Sequence, residues 1–204
     1  MKELAKETNK KQDIFVIYNG IDINEFKEKV QKKKRKNEKL ILISTGRLIE
    51  RKGYEYLIEA ISKMKDVELR LIGKGDLENE LREKARDLKS NVEFLGIINH
   101  SKIPTFLAEA DVFVLPSLNE GMSNSILEAM ACGLPIITTD TGGSEELIKG
   151  NGFLVKKESS GDIKKVIKEY LKNRDLLLEH GKNSRKIAEK MKWGNVAKDY
   201  FEMY

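Results

Sequence analysis

Residues 111–143 read DVFVLPSLNEGMSNSILEAMACGLPIITTDTGG and carry the pattern that decides the fold. The continuous apolar run Val112–Leu115 predicts a short strand that is buried on both faces, as in a parallel sheet. A loop follows, and the next residues predict a helix from about Ser123, its N-cap, to Cys132. The run Pro135–Thr139 predicts another strand, so the stretch as a whole predicts one βαβ unit.

The chemistry of this unit is expected in the loop and at the start of the helix. In open parallel sheets, ligands bind beyond the carboxyl ends of the strands, and a helix N-terminus attracts anions. Glu120 and Gly121 lie there, and Gly121 allows the backbone to approach a ligand closely. Glu128 lies on a helix that is otherwise nearly all apolar, so its carboxylate needs a partner. That partner is either a hydroxyl pair of a sugar or ribose, or a structural salt bridge.

A second strand-to-helix loop carries cations. Leu40–Ser44 predicts a buried strand and Tyr54–Met64 a helix, with Arg47 and Lys52 between them. Arg47 offers a planar fork that can bind a phosphate through two hydrogen bonds, and Lys52 adds a point charge. Ordinary surface cations are the alternative, but the position at the carboxyl end of a strand favours an anion site. The adjacent Arg51 is a competing candidate for the same role.

Strands and helices alternate along the rest of the chain as well. Further strands are predicted at 13–18, 67–72, 91–95 and 152–155, and further helices at about 101–110, 163–172, 174–190 and 195–202, with another that ends near 88. A glycine turn at 140–146 predicts one more helix start. This order predicts an α/β fold with a single Rossmann-like, doubly wound parallel sheet and helices on both faces.

The motif Glu120-x7-Glu128, within residues 116–135 and followed by a Thr-Gly-Gly turn at 141–143, resembles the signature of glycosyltransferase family 4. Members of that family are retaining enzymes that use nucleotide sugars and have two Rossmann-like domains, the GT-B class. The similarity extends from about Ile17 to the C-terminus. It implies that this chain is the donor-binding, C-terminal half of a GT-B fold.

The resemblance assigns roles to the polar residues of both loops. Arg47 and Lys52 would neutralise the diphosphate as it leaves. Glu128 would bind the ribose hydroxyls, and Glu120 would hold the hydroxyls of the donor sugar near the reacting carbon. Members of the family generally need no metal, so neither a metal site nor a cofactor is expected, and the donor substrate is a UDP-, GDP- or ADP-sugar.

A further set of residues is expected to line the donor, mostly through backbone groups. The loop and helix start would contact the sugar and phosphates, the glycine turns would face the donor and nucleotide, and an isoleucine would hold the base. The set comprises Gly121, Met122, Ser123, Asn124, Gly73, Gly75, Ile97, Gly142 and Gly143. The segment 122–124 is also similar to that of hexose and N-acetylhexosamine transferases. The turn at 73–75 lacks the third glycine of G-x-G-x-x-G, since Glu78 replaces it, which excludes an NAD site.

Five segments are expected along the chain. They are a tail or remnant of a preceding domain at 1–12, an interdomain strand and linker at 13–26, a basic loop at 27–38, the Rossmann-like donor-binding domain at 39–190 and a C-terminal crossing helix at 191–204. Because about a dozen residues precede the linker strand, the family's N-terminal acceptor domain is expected in cis or in trans.

Without that acceptor domain, two consequences are expected. The chain alone would bind nucleotide sugar weakly and transfer little or nothing. The crossing helix would expose apolar residues that otherwise face the other domain, namely Trp193, Val196, Tyr200 and Phe201.

Composition and charge limit which classes of binding partner are expected. The chain has 204 residues, 40% of them hydrophobic, which suits one large domain with a core. Its net charge of +5 comes from interspersed charges, which argues against a nucleic-acid partner. The basic run at 27–38 has no apolar face, so a solvated loop is favoured, and contact with an anionic membrane is the alternative. No membrane span or signal peptide is recognisable, so a cytoplasmic protein, at most peripheral at the inner membrane face, is expected.

Cysteine and histidine usage predicts no metal centre. Cys132 is the single cysteine and is expected to be a small buried apolar residue. His100 and His180 lie far apart and without a ligand cluster, which makes a zinc site improbable.

Two other function classes compete with a transferase. A non-catalytic partner subunit or regulatory module that kept the nucleotide pocket would bind the nucleotide without transferring a sugar. A sugar-nucleotide epimerase of the GT-B class would need acid and base residues in the cleft, and the sequence does not show them.

Overall fold

The computed structural model describes residues 18–27, 38–141, 143, 144 and 146–202. Within them, six parallel strands form one sheet in the order β3-β2-β1-β4-β5-β6. The strands are β1 (Leu40–Thr45), β2 (Val67–Ile72), β3 (Val92–Gly96), β4 (Val112–Leu115), β5 (Ile136–Thr139) and β6 (Gly152–Val155). The predicted strands at 40–44, 67–72, 91–95, 112–115, 135–139 and 152–155 are therefore confirmed.

The helices follow the strands in the expected alternation. They are α1 (Tyr54–Ala60), α2 (Glu78–Asp87), α3 (Ile103–Glu109), α4 (Asn124–Ala131), α5 (Ser160–Lys172), α6 (Asp175–Lys190) and α7 (Trp193–Phe201). Two short 3-10 turns, Glu50–Lys52 and His100–Lys102, precede α1 and α3. No helix in the described part of the chain is long and apolar enough to cross a membrane.

Burial along the strands explains why the sheet is central. Every residue of β4 and β5 is buried, as their continuous apolar runs predict for strands covered on both faces. In β2, by contrast, buried and half-buried residues alternate, because only the edge strand β3 lies beyond it. One hydrophobic cluster packs α1, α2 and α5 against the sheet, and a second packs α3, α4 and α6. This is the predicted α/β, Rossmann-like, doubly wound architecture.

Several local expectations need correction. The helix predicted at 101–110 with Ser101 as its cap begins instead with the 3-10 turn, and the Asn99 side chain caps that turn by accepting a hydrogen bond from the Ser101 N–H at 3.1 Å. The first turn thus uses the better capping residue, two residues before the predicted site. After Thr139, the described residues form bends and turns where a helix start was expected.

Some predictions lie outside the described residues. These are the tail at 1–12, the strand at 13–17, most of the basic loop (28–37) and Gly142. The linker residues that are described pack onto the domain: Ile21 and Phe26 are buried in the second cluster, and the Ile21 N–H donates to the Met191 carbonyl at 3.0 Å.

The crossing helix α7 is only partly exposed on its apolar side. Trp193, Tyr200 and Phe201 are exposed, the last of them to 83%. Val196, which was also expected to be exposed, is buried, because it lies on the face of α7 that is turned toward the rest of the chain. A Cβ at Gly20 would lie 2.5 Å from the Trp193 ring, so the linker passes directly under that side chain.

Gly73 provides a test of how tightly the loops after β1 and β2 are packed. Its φ is +137°, and a Cβ there would lie 1.9 Å from the Gly46 carbonyl oxygen. We expect Gly73→Ala to lower the free energy of unfolding by about 2–4 kcal/mol, since strain and overpacking add. Urea denaturation measures this.

Gly161→Ala is the matched control. Gly161 lies in the first turn of α5, and a Cβ there would meet nothing within 4 Å. Its alanine variant should be unchanged or more stable by up to about 1 kcal/mol. Equal urea-denaturation midpoints for Gly73→Ala and Gly161→Ala would contradict the described packing.

Candidate functional site

The candidate site lies where β1 and β4 are neighbours and the chain winds away from them in opposite directions. From β1 the sheet continues to β2 and β3, and from β4 to β5 and β6. The register pairs Leu42 with Val112 and Ile43 with Phe113, so the two strands end at the same level. Such a switch point leaves a crevice between the loops at the carboxyl ends of the strands, and ligands of doubly wound proteins bind there.

Two adjoining cavities of about 380 Å³ each occupy this crevice. The first, here called the polar cavity, is lined by both predicted cations and both predicted glutamates, together with the start of α4. The second, here called the apolar cavity, lies toward β2 and β3 and is lined by isoleucines as well as by His100 and Lys74. Both cavities share Arg47 and Glu128, so a ligand could extend from one into the other.

Lys52 and Glu120 form an ion pair across the crevice. The Lys52 Nζ lies 2.5 Å from the Glu120 Oε2, and the two side chains are only 11% and 16% exposed. The Ser117 hydroxyl donates a longer hydrogen bond to the same oxygen, at 3.3 Å. These two residues were predicted separately, from different loops, and the structure places them in contact, where each neutralises the other.

Tight backbone packing holds those loops together. Gly53, with φ +62°, turns the chain from the 3-10 turn into α1, and a Cβ there would lie 2.3 Å from the Pro116 carbonyl oxygen. The Leu118 N–H donates to the Arg51 carbonyl at 2.8 Å. Only glycine fits at Gly53, both for its left-handed conformation and for this close approach.

Arg47 is an uncompensated cation of the site. Its side chain is exposed and lines both cavities, whereas the exposed Arg51, which also has no ion pair among the described residues, lines only the polar cavity. Among the described residues it has no ion-pair partner, in contrast to Lys52. A free guanidinium beside a neutralised lysine leaves the polar cavity with a net attraction for an anion.

The start of α4 contributes backbone donors but no side-chain cap. Ser123 occupies the predicted N-cap position, but its hydroxyl is hydrogen-bonded to the Ser125 hydroxyl at 2.9 Å and does not cap the helix. The predicted N-cap position of Ser123 is therefore confirmed, but without the side-chain hydrogen bond that such a residue usually makes. The N–H groups at the helix start thus receive no hydrogen bond from the Ser123 side chain, and Ser123, Asn124 and Ser125 line the polar cavity.

The linker fixes Met122 and Asn124 in this cavity wall. The Asn19 amide donates to the Asn124 Oδ1 at 2.9 Å, and the Asn19 N–H points at the Met122 sulfur at 3.3 Å. Gly121 beside them is open, since a Cβ there would meet nothing within 4 Å. Gly143 packs on that segment, with its Cβ position 3.0 Å from the Gly121 carbonyl oxygen.

The remaining predicted positions lie on the apolar side. Gly73 and Ile97 line the apolar cavity, and the Ile97 side chain is 75% exposed. Gly75 does not line either cavity. It lies against the backbone of Leu48, whose carbonyl oxygen would be 2.3 Å from a Cβ, so the structure gives it a packing role.

Glu128 has a partner that the sequence did not indicate. Its Oε1 lies 3.0 Å from the His100 Nε2, and its side chain is 15% exposed. Burial raises the pKa of the Glu128 carboxyl, while the hydrogen bond from His100 opposes that shift. The same hydrogen bond raises the pKa of His100, against the effect of burial, and the nearby charge of Glu25 raises it further.

His100 is therefore a site residue that sequence reasoning missed. It is 28 positions from Glu128, and no sequence motif connects the two residues. One signal could have found it: it follows β3 directly, at the same carboxyl edge of the sheet as the other loops. The second histidine has a structural place, because the His180 Nδ1 lies 2.9 Å from the buried Tyr170 hydroxyl.

Metal-binding and thiol chemistry find no support in the described residues. No group of three or more His, Cys, Asp or Glu side chains among them could hold a metal ion. Cys132 is fully buried, and burial raises the pKa of its thiol to about 12, so it is the inert core residue that was expected.

The Lys52–Glu120 pair predicts a coupled effect on stability. Lys52→Met leaves a poorly exposed carboxylate without its cation and should cost about 1–3 kcal/mol in unfolding free energy. Adding Glu120→Gln should recover part of that loss. Urea unfolding of both single variants and the double variant measures the coupling; strictly additive losses would contradict the pairing.

With this geometry in place, comparisons with known proteins identify the family. Residues 25–187 match the family described as glycosyl transferases group 1. An uncharacterized glycosyltransferase of Methanocaldococcus jannaschii is 33% identical over 224 residues, covering 100% of this chain and 57% of the relative. The chain spans about half the length of the curated relatives it matches, with 57%, 52% and 53% of three of them covered.

Two solved structures share the fold. Sucrose-phosphate synthase from Thermosynechococcus elongatus superposes with a TM-score of 0.84 at 26% identity, covering 100% of this chain and 55% of the synthase. Anabaena HepE, solved in complex with UDP and glucose, superposes with a TM-score of 0.81 at 26% identity, covering 93% of this chain and 56% of that protein. Taken with the match over residues 25–187, these similarities show that the chain belongs to the group 1 glycosyltransferases.

Proposed function

We propose that this chain is the nucleotide-sugar-binding domain of a retaining glycosyltransferase of family 4. The observation that carries the proposal is the polar cavity, in which Arg47, Lys52, Glu120 and Glu128 meet at the switch point of the sheet. Two cations, two carboxylates and a helix start in one crevice match a ligand that has both phosphates and hydroxyl groups.

The diphosphate would lie against Arg47, Lys52 and the start of α4. Arg47 would be the first contact, because it is exposed, has no ion-pair partner among the described residues and lines both cavities, whereas Arg51 lines only the polar one. As the bond between sugar and phosphate breaks, negative charge develops on the departing diphosphate, and these fixed cations would stabilise it. They would supply the charge that a metal ion supplies in other transferases.

The two carboxylates would bind hydroxyl groups at either end of the diphosphate. Glu128 lies between the polar and apolar cavities, which suits the ribose of a nucleotide whose base enters the apolar cavity beside Ile97. Glu120 would hold the donor sugar, a hexose or an N-acetylhexosamine. In binding, the donor would exchange partners with the ion pair, with phosphate taking Lys52 and sugar hydroxyls taking Glu120.

The base is expected to be that of UDP, GDP or ADP. The relative from Anabaena was solved with UDP and glucose, which supports testing UDP first. An acceptor domain, in cis or in trans, would bring the glycan or lipid-linked acceptor to the donor. The run at 28–37, outside the described residues, would meet an anionic membrane if the acceptor is a lipid. Relatives named glycosyltransferases favour this proposal over a non-catalytic module.

Calorimetric titration with UDP, GDP and ADP tests the proposal. We expect saturable binding of one of the three. Arg47→Ala should weaken it about tenfold or more, since hydrogen bonds to charged groups contribute about 1.5–3 kcal/mol. Arg86→Ala is the matched control, because Arg86 lies on α2 away from both cavities. The proposal fails if no nucleotide binds, or if the two arginine variants lose the same affinity.

Glu120→Gln should change which ligand is preferred. It removes the anion that neutralises Lys52, so a nucleoside diphosphate should bind the variant several-fold more tightly than it binds the unmodified chain. It also removes the proposed sugar contact, so the preference for the matching nucleotide sugar should shrink. Competition titrations measure both, and a uniform loss of affinity for both ligands would contradict the exchange of partners.

A further inference from the structure

His100 bridges the linker and the candidate ribose-binding residue. Its Nε2 lies 3.0 Å from the Oε1 of Glu128 on α4, and its Nδ1 lies 3.5 Å from the Oε1 of Glu25 in the linker. The Phe26 ring packs edge-on against the imidazole, with ring centroids 5.6 Å apart. His100 is thus held from one side by the linker while it holds Glu128 from the other.

The linker is itself fixed to the domain core. The Arg185 Nη1 donates both to the Phe26 carbonyl, at 3.0 Å, and to the Ala131 carbonyl at the end of α4, at 2.7 Å. Phe26 is buried in the same cluster as the apolar side chains of α4. The linker, α4 and α6 therefore meet around one arginine, and the bridge through His100 is a second connection between linker and α4.

The bridge leaves one oxygen of Glu128 for a ligand. With Oε1 occupied by the His100 Nε2–H, the carboxylate can accept from ligand hydroxyls chiefly through Oε2, in an orientation that the imidazole fixes. The longer approach to Glu25 exceeds a good hydrogen bond, so there the attraction is one of charge. His100 is 62% exposed, and Glu25 42%, so the charge effect of Glu25 is modest.

We propose that His100 is a positioning residue for Glu128, held by the linker, and that it makes the ribose contact of the donor site depend on linker packing and on pH. The proposal rests on the proposed function, in which Glu128 binds the ribose hydroxyls. His100 acts through Glu128 and needs no contact with the reacting atoms.

The charges around His100 determine the expected pH dependence. It faces the anions Glu128 from α4 and Glu25 from the linker, while Arg47 and Lys74 share its cavity from the loops after β1 and β2, and Lys102 lies on its own turn. Its pKa is raised, so the imidazolium persists above the ordinary value. As pH rises through that raised pKa, the charged contact to Glu128 weakens, and ribose-dependent affinity should fall.

The test compares ribose with 2′-deoxyribose. UDP, GDP and ADP are first titrated into the unmodified chain, and the one that binds best is then compared with its 2′-deoxy form in all variants. His100→Ala should weaken the ribonucleotide about five- to tenfold and the 2′-deoxynucleotide, which keeps only the 3′-hydroxyl for Glu128, by a clearly smaller factor. His100→Gln keeps a donor for Glu128 and should restore most of the affinity, now independent of pH between about 6.5 and 9.

Two further variants test whether the charge of Glu25 contributes to the pH dependence at His100. Glu25→Gln should move the fall in ribonucleotide affinity to lower pH, because it removes an anion that raises the pKa of His100. Lys102→Ala, exposed on the same turn, is the matched control and should bind both nucleotides as the unmodified chain does.

The outcomes distinguish this inference from the proposed function. If His100→Ala lowers the affinities for the ribonucleotide and the 2′-deoxynucleotide equally, or lowers neither, His100 does not position Glu128. The inference then fails, while the proposed nucleotide binding stands. If none of the three nucleotides binds the unmodified chain, the proposed function fails, and this inference with it. A His100→Gln variant as weak as His100→Ala would also overturn the inference.

Discussion

The ion pair between Lys52 and Glu120 connects the two loops that leave the sheet at its switch point. The order of the strands puts β1 beside β4, and their equal ends bring the loops face to face. The backbone contact of Gly53 with Pro116 then leaves little freedom in how those loops pack. A lysine and a glutamate 68 positions apart are thereby held 2.5 Å from each other, mostly out of water.

A consequence is that most of the site's charges are compensated within the chain. Glu120 neutralises Lys52, and His100 holds Glu128, whereas Arg47 stands exposed at the boundary of both cavities. Burying charges without partners would cost several kcal/mol each, so these pairs make it possible to keep the charges before a ligand arrives. In the proposed binding mode, a ligand with phosphates and hydroxyl groups would take over both members of the Lys52–Glu120 pair, while His100 would stay on Glu128, and this would limit the desolvation cost of binding.

Much of the fold and site could be predicted from sequence because both follow from local pattern. Apolar runs, continuous in β1 and β4 and alternating in β2, indicated strands. Arg47, Lys52 and Glu120 were indicated by their places in loops after strands, Glu128 was indicated as a carboxylate on a nearly apolar helix, and the roles of all four came from the family resemblance. Contacts between loops could not be predicted, since the Lys52–Glu120 and His100–Glu128 distances depend on how the loops curve. Two local features were also missed. The Asn99 cap depends on a shift of two residues in where the turn begins, and the burial of Val196 depends on which face of α7 is turned toward the domain.

In the proposed binding mode, the crevice between β1 and β4 holds a nucleoside diphosphate. Crystal structures of the protein soaked separately with UDP, GDP and ADP would test this. We expect a diphosphate within hydrogen-bond distance of Arg47 and Lys52, ribose hydroxyls at the Glu128 carboxylate, and a base beside Ile97. A nucleotide bound elsewhere, for example in the groove between α2 and β3 that Arg82, Arg86 and Lys89 line, with this crevice empty, would contradict the proposal.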